Sequence, residues 1–200
     1  MRVFLAGATG VIGRQLLPLL LAAGHEVAGM TRSPDRLAEL SDKGAHPVVC
    51  DVYDLPALAA AVAGFRPDLV MHQLTDLPDE ADRIPDFAAR NNRIRTEGTR
   101  NLLAAARRSG APRFVAQSIA WTPPGAGEAV AEHERLVLDA GGVVVRYGMF
   151  YGPGTYSGTG RVPPLPRIHV ADAARRTLEL MDAPSGIVVV AEPEADPPAL

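Results

Sequence analysis

Apolar positions along this chain fall into two patterns that take turns. Continuous short runs, among them Val3-Phe4-Leu5-Ala6, Leu69-Val70-Met71, Phe114-Val115-Ala116 and Val143-Val144-Val145, read as strands buried on both faces of a parallel sheet. Between them apolar residues recur every three or four positions, as at Leu16, Leu17, Leu20 and Leu21, the stripe of a helix that covers such a sheet. Strands are expected over residues 2–6, 26–31, 46–50, 68–72, 113–117, 142–146 and 187–191, and helices over 11–23, 34–42, 55–63, 83–109, 128–139 and 170–182. Their alternation predicts an α/β fold, a doubly wound parallel sheet between two helical layers. Residues 152–166 follow neither period and are dense in Gly and Pro, so they read as loop, the centre of a reduced substrate region around 152–168. One domain over 1–192 and a flexible, Pro- and Ala-rich tail over 193–200 complete the expected organisation.

The first strand runs into Gly7-Ala8-Thr9-Gly10-Val11-Ile12-Gly13 and then into the first helix. Strand, glycine turn and helix in that order make a seat for a dinucleotide pyrophosphate. Gly7 and Gly10 permit the sharp turn and leave no Cβ between backbone N–H groups and phosphate, and Gly13 lets the helix lie close to the strand. A structural turn is the plainer reading of the glycines alone; the order of the elements around them favours the cofactor. The 200 residues, 47% of them hydrophobic, suit one compact core, and a formal net charge of -3 gives no electrostatic case for nucleic acid or an anionic membrane. Cys50, the one cysteine, sits beside Val48 and Val49, a buried thiol of the kind expected in a reducing cytoplasm. No His, Cys, Asp or Glu cluster has metal-ligand spacing. Glycines and Pro18 interrupt the apolar start, which argues against a secretory signal, and no run reaches transmembrane length.

The glycine spacing resembles the short-chain dehydrogenase/reductase superfamily, in its extended and atypical branches of epimerases, dehydratases and reductases. Val70-Met71-His72-Gln73-Leu74 resembles the V-x-H-x-A element of the fourth strand, Glu97 to Leu103 the E-G-T-x-N-L-L helix, and Arg113 to Ser118 the R-F-V-x-x-S strand. Arg146 to Gly154 is similar to R-P-x-x-x-Y-G-P-G, and His169 to Ala174 to an H-V-x-D-x-A helix start. The resemblance implies a Rossmann fold with cofactor contacts from Gly7, Thr9, Gly10, Val11, Ile12 and Gly13, from Asp51 and Val52, and from His72, Gln73 and Leu74. Asp51 reads almost equally well as a turn residue with Asp54.

Cofactor choice turns on the end of the second strand, where an acid accepts from the ribose hydroxyls of NAD and an arginine pairs with the 2′-phosphate of NADP. Met30-Thr31-Arg32-Ser33 holds no acid, so Arg32, with the hydroxyls of Thr31 or Ser33 and with Arg36 one turn on, reads as an NADP clamp. The bland alternatives are a solvated Arg32 and a Ser33 that caps the turn before Pro34; NAD is the second cofactor candidate.

At the substrate end the chain departs from the resemblance. Relatives carry Tyr and Lys spaced Y-x-x-x-K as general acid/base and supporting cation, but the single lysine here is Lys43, and Ala126 and Val130 stand at the matching positions. Ser118 falls near the family's Ser/Thr partner, and Tyr147 replaces its usual proline, so these two hydroxyls are the candidate proton donors. Tyr151, His72, His133 and His169 each have a structural reading that is the plainer one. The whole implies an NADP-dependent oxidoreductase on a small carbonyl or alcohol. Its chief rival is a non-catalytic sensor of the NADP redox state, which would keep the loop and lose the dyad; an epimerase or dehydratase relative stands third. A small-molecule substrate is the expected partner, with a homodimer left open.

Overall fold

The expected strands all form, as β1 (Arg2–Ala6), β2 (Glu26–Thr31), β3 (His46–Val49), β4 (Leu69–His72), β5 (Arg113–Ile119) and β6 (Val143–Tyr147), followed by β7 (Met149–Tyr151), β8 (Arg167–His169) and β9 (Gly186–Val190). The helices are α1 (Gly13–Ala22), α2 (Leu37–Asp42), α3 (Leu55–Phe65), α4 (Ala88–Arg93), α5 (Thr99–Ser109), α6 (Gly127–Asp139) and α7 (Val170–Leu178). This computed structural model describes residues 1–121, 124–158, 160 and 162–193. Thr122 and Pro123 of the short link after β5, and the expected tail from residue 194 on, lie outside the described residues.

Seven strands form one sheet in the order β3-β2-β1-β4-β5-β6-β9, every pairing parallel. The continuous apolar runs have a simple cause. Val3 and Leu5 of β1 enter the core under α1 and α7 with Leu16, Leu17, Leu20 and Ala173, while Phe4 and Ala6 enter the opposite core with Leu58, Val62, Leu102 and Val137 of α3, α5 and α6. Successive residues of a strand point to opposite faces, so a sheet covered on both sides requires every position to be apolar. The strand order reverses between β1 and β4, which opens a crevice above their C-terminal ends, the place where this class of sheet binds ligands.

Two expectations need correction. The helix read over 83–109 is a chain of four segments: a 3-10 stretch over Ala81–Phe87, then α4, a π turn over Ile94–Gly98, and α5. Pro85 lacks the N–H that would extend an α-helix upstream. At the π turn, Gly98 closes on Val52, where a Cβ would stand 3.6 Å from Val52 Cγ1. The second correction is β7 and β8, which pair in a small parallel sheet and are too short to show a period. They pinch the ends of the 152–166 loop together, with the Met149 N–H donating to the Pro166 carbonyl at 2.8 Å. The Tyr156 hydroxyl donates to the Pro78 carbonyl, so this loop reaches across to the segment after β4. Among the described residues no helix is long and apolar enough to cross a membrane.

Under the crevice lies a closed polar chain. The Leu74 N–H donates to His72 Nδ1 (3.2 Å), His72 Nε2 donates to Thr99 Oγ1 (3.0 Å), Thr99 donates to His133 Nδ1 (2.7 Å), and His133 Nε2 donates to the Gln117 carbonyl (2.9 Å). The backbone partners at each end assign both rings as neutral Nε2–H tautomers. Burial holds His72 well below the usual histidine pKa, with His133 adding to the effect, and burial also lowers His133. The unfolded chain therefore binds protons that the folded one refuses as pH falls below about 6.5. Stability is fully present above that pH and drops below it by up to about 1.4 kcal/mol per pH unit for each ring. Thermal denaturation between pH 7.5 and 5 checks this, and His133→Gln should make the pH dependence shallower.

Candidate functional site

The crevice is built around the glycine loop. Gly7 takes the left-handed φ of +90° that lets β1 turn sharply, and the carbonyl of Met30 accepts both the Gly7 and Ala8 N–H groups at 3.2 Å. A Cβ on Gly13 would lie 2.1 Å from the Gly7 carbonyl oxygen, so α1 sits on the loop with no room for a side chain between them. Gly10 differs. Its absent Cβ would meet only the Gly7 oxygen, at 3.3 Å, and otherwise faces open space. No acceptor among the described residues takes the N–H groups of Val11, Ile12 and Gly13, which lead into and open α1. Unpaired donors, the positive end of a helix and an unobstructed approach are what a pyrophosphate needs, so these residues fit the dinucleotide.

Farther along, Thr31 binds inward. Its hydroxyl is hydrogen-bonded to Thr9 Oγ1 at 3.1 Å and accepts the Ser33 N–H at 3.2 Å, so it fixes the loop and the strand end and has little left for a ligand. Ser33 stands at the start of the 3-10 turn over Pro34–Arg36 and makes no side-chain cap, which leaves its hydroxyl available. Arg32 keeps a side chain 60% exposed while one Nη reaches Asp76 at 3.2 Å. Asp76 is buried and is already gripped bidentately by Arg90, at 3.0 and 3.1 Å. Arg32 can therefore leave for a phosphate without stranding a buried carboxylate. Arg36 is drawn instead to Glu39, at 3.1 Å, and Lys43 pairs with the same carboxylate at 2.9 Å on the far side of α2.

Asp51 accepts the Tyr53 N–H and Asp54 caps α3 through the Ala57 N–H, so the turn function is present at both. Val52 is buried, and its carbonyl accepts from Asn101. His72 belongs to the closed chain described above. Leu74 is half-buried, and its carbonyl accepts from Gln117 at 2.9 Å. Gln73 is buried with both side-chain amide atoms unpartnered, and its carbonyl packs against Gly7.

The two candidate proton donors do not reach the crevice. Tyr147 is 2% exposed, lies in the core between β6 and α7, and shares a 2.6 Å hydrogen bond with Thr177; burial drives its pKa far above that of a free phenol. Such a hydroxyl neither meets a substrate nor ionises readily. Ser118 donates to Glu134 at 2.6 Å, and Glu134 is clasped by Arg146 at 2.8 and 2.6 Å. Burial pushes the Glu134 carboxyl up, but the bonds from Arg146 and Ser118 outweigh it and leave it below the usual range, a poor base for activating the serine. Asp76, Arg90, Thr99 and Glu134 escaped the sequence reading, because each acts through partners distant in the chain. Among the described residues no group of acids, histidines or cysteines could hold a metal.

Residues 7–139 match the NAD(P)H-binding family. The chain is 44% identical over 180 residues to a 3-diazoavenalumate denitrifying reductase of a Streptomyces species, covering 78% of this chain and 58% of that protein. It is 35% identical over 120 residues to a 3-beta-hydroxysteroid dehydrogenase of Mycolicibacterium neoaurum, covering 57% of this chain and 31% of that one. It thus spans little more than half of the first relative and under a third of the second. Among solved structures it resembles the UDP-glucose 4-epimerase of Thermus thermophilus in complex with NAD, at a TM-score of 0.80 and 23% identity over 97% of this chain and 78% of that one. It also resembles an anaerobillin reductase from Escherichia coli O157:H7, at 0.73 and 21% over 98% of this chain and all of that one. At these identities the structural likeness establishes the fold.

Two glycine variants separate binding from folding. Gly10→Val should leave the circular dichroism spectrum and melting temperature nearly unchanged while weakening dinucleotide binding by about thirtyfold or more, because its side chain fills the phosphate seat. Gly13→Ala should lose about 1 to 3 kcal/mol of stability, since its methyl cannot fit against Gly7. Equal binding by folded Gly10→Val would make the loop purely structural.

Proposed function

The chain belongs to the NAD(P)H-binding family, and from that footing we propose that it is an NADP-dependent reductase of a small electrophilic molecule. The observation that carries the choice of NADP is Arg32 at the end of β2, exposed and held by a carboxylate that Arg90 satisfies without it. Ser33 offers its uncapped hydroxyl beside the guanidinium. The N–H groups of Val11, Ile12 and Gly13 would hold the pyrophosphate, and Asp51, Val52 and Leu74 would border the adenosine.

When bound, the dinucleotide would supply a hydride to a strongly electrophilic acceptor, such as an activated carbonyl or the diazo group in the name of the Streptomyces relative, and the proton that completes the reduction would come from water and not from an enzymic acid. This suits a crevice in which Tyr147 and Ser118 are both committed inside the protein. The contribution of the chain is then to bind and orient, and Tyr156 ties its loop to Pro78 in the segment after β4. A non-catalytic NADP(H) sensor is the second reading, favoured because neither candidate hydroxyl, Tyr147 or Ser118, reaches the crevice.

Calorimetric titration should show NADPH bound more tightly than NADH. Arg32→Ala should remove most of the difference, about 1.5 to 3 kcal/mol, the worth of a charge-assisted phosphate contact. Equal affinities in the wild type would overturn the cofactor assignment. In turnover followed by NADPH absorbance across a panel of activated carbonyl and diazo compounds, Tyr147→Phe should change kcat by less than about threefold, whereas a principal general acid contributes at least 10²-fold. Tight NADPH binding with no turnover on any of them would favour the sensor.

A further inference from the structure

Arginines withdrawn from water in this protein pair with acids: Arg2 with Glu26, Arg146 with Glu134 and Arg167 with Glu192. Arg95 breaks the pattern. It is half-buried on the π turn, burial lowers its pKa, and no carboxylate among the described residues lies within ion-pair distance. Its one side-chain hydrogen bond is from Nη1 to Asn92 Oδ1 at 3.3 Å, which leaves the remaining donors of the guanidinium without an acceptor among the described residues. Asn92 in turn donates to the Gly125 carbonyl at 3.2 Å, so the pair faces the corner Gly125-Ala126 that opens α6. This corner follows the C-terminal end of β5, the neighbour of β4 in the sheet, which puts it on the crevice side, and Ala126 is the position that the resemblance matches to the proton-donating tyrosine. His133 stands nearby but is kept neutral, and Glu134 is occupied by Arg146, so nothing among the described residues neutralises Arg95.

A partly desolvated cation without a counter-ion costs stability, and a planar fork of free N–H donors is shaped for a carboxylate. The phosphates of the dinucleotide have their own partners at the start of α1 and at Arg32, on the other flank of β1. We propose that Arg95 is the carboxylate-binding residue of the substrate site, and that the molecule handled at this crevice is a small organic acid. The inference rests on the reading of the crevice as a reductase site and narrows its substrate class.

The test is calorimetric titration of the full chain, with and without saturating NADP+, using hexanoate, benzoate and 3-phenylpropanoate, each beside its methyl ester. At least one acid should bind about tenfold or more tightly than its ester, a charge-assisted bidentate contact being worth that much. Arg95→Met should abolish the preference, Arg95→Lys should retain part of it, and NADP+ affinity should stay within about twofold in both. Three results would overturn the inference: no acid preferred over its ester, a preference that survives in Arg95→Met, or a tenfold loss of NADP+ affinity in that variant, which would put the guanidinium on the cofactor. Because the acids are also titrated without nucleotide, failure of NADP+ to bind would count against the reductase reading and leave the test of Arg95 standing.

Discussion

The geometry of this protein hangs on the contact between Gly13 and the Gly7 carbonyl, where a single added carbon would sit 2.1 Å from the oxygen. That contact presses the start of α1 onto the end of β1 and fixes the direction in which its unpaired N–H groups point. The same turn holds its neighbours in register. Gly7 packs on the Gln73 carbonyl at the end of β4, and the Met30 carbonyl at the end of β2 takes two N–H groups of the loop. Thr9 then grips Thr31, which holds Ser33, so Arg32 is carried into position by the phosphate loop itself. One turn thus places both the N–H groups at the start of α1 and the Arg32 guanidinium, and Gly7 and Gly13 have no room for a side chain toward the strands.

What was legible in the sequence follows from what is contiguous. Strand positions could be read because two-sided burial makes each run apolar without a break, and the cofactor loop could be read because its donors are neighbours in the chain. The side-chain clusters around that loop could not. Asp76 meets Arg32 and Arg90 across separations of 44 and 14 residues, and Thr99 meets His72 and His133 across 27 and 34. Such clusters leave no periodic trace. The π turn is hidden for a related reason, since it sits where Gly98 packs on Val52, a residue remote in the chain. Tyr147 misled the sequence reading because strand position tells which face a side chain takes only once register is known, and its face is the core under α7.

The vacant dyad can be understood from where the polar side chains went. At the ends of β4 and β5 the fold contains His72 and Ser118, and α6 brings His133 and Glu134 to them, groups from which proton-transfer machinery could be built. Most have instead closed on one another: the histidines run between two backbone groups through Thr99, and Ser118 and Arg146 converge on Glu134. Each closed set is satisfied, and a satisfied buried network resists both protonation and rearrangement. General acid catalysis needs a group whose pKa lies near the working pH and whose proton is free to move. Burial has pushed the Tyr147 phenol upward and the two histidines downward, away from that window. The groups left unsatisfied are of another kind. Besides the Gln73 amide and the Tyr53 hydroxyl, they include the N–H donors of the glycine loop and the fork of Arg95, fixed donors that recognise anions and cannot shuttle a proton at neutral pH. On the reading proposed above, a crevice lined in this way would hold a dinucleotide and an organic acid against each other, and the reactivity would reside in those molecules and not in a proton-shuttling side chain.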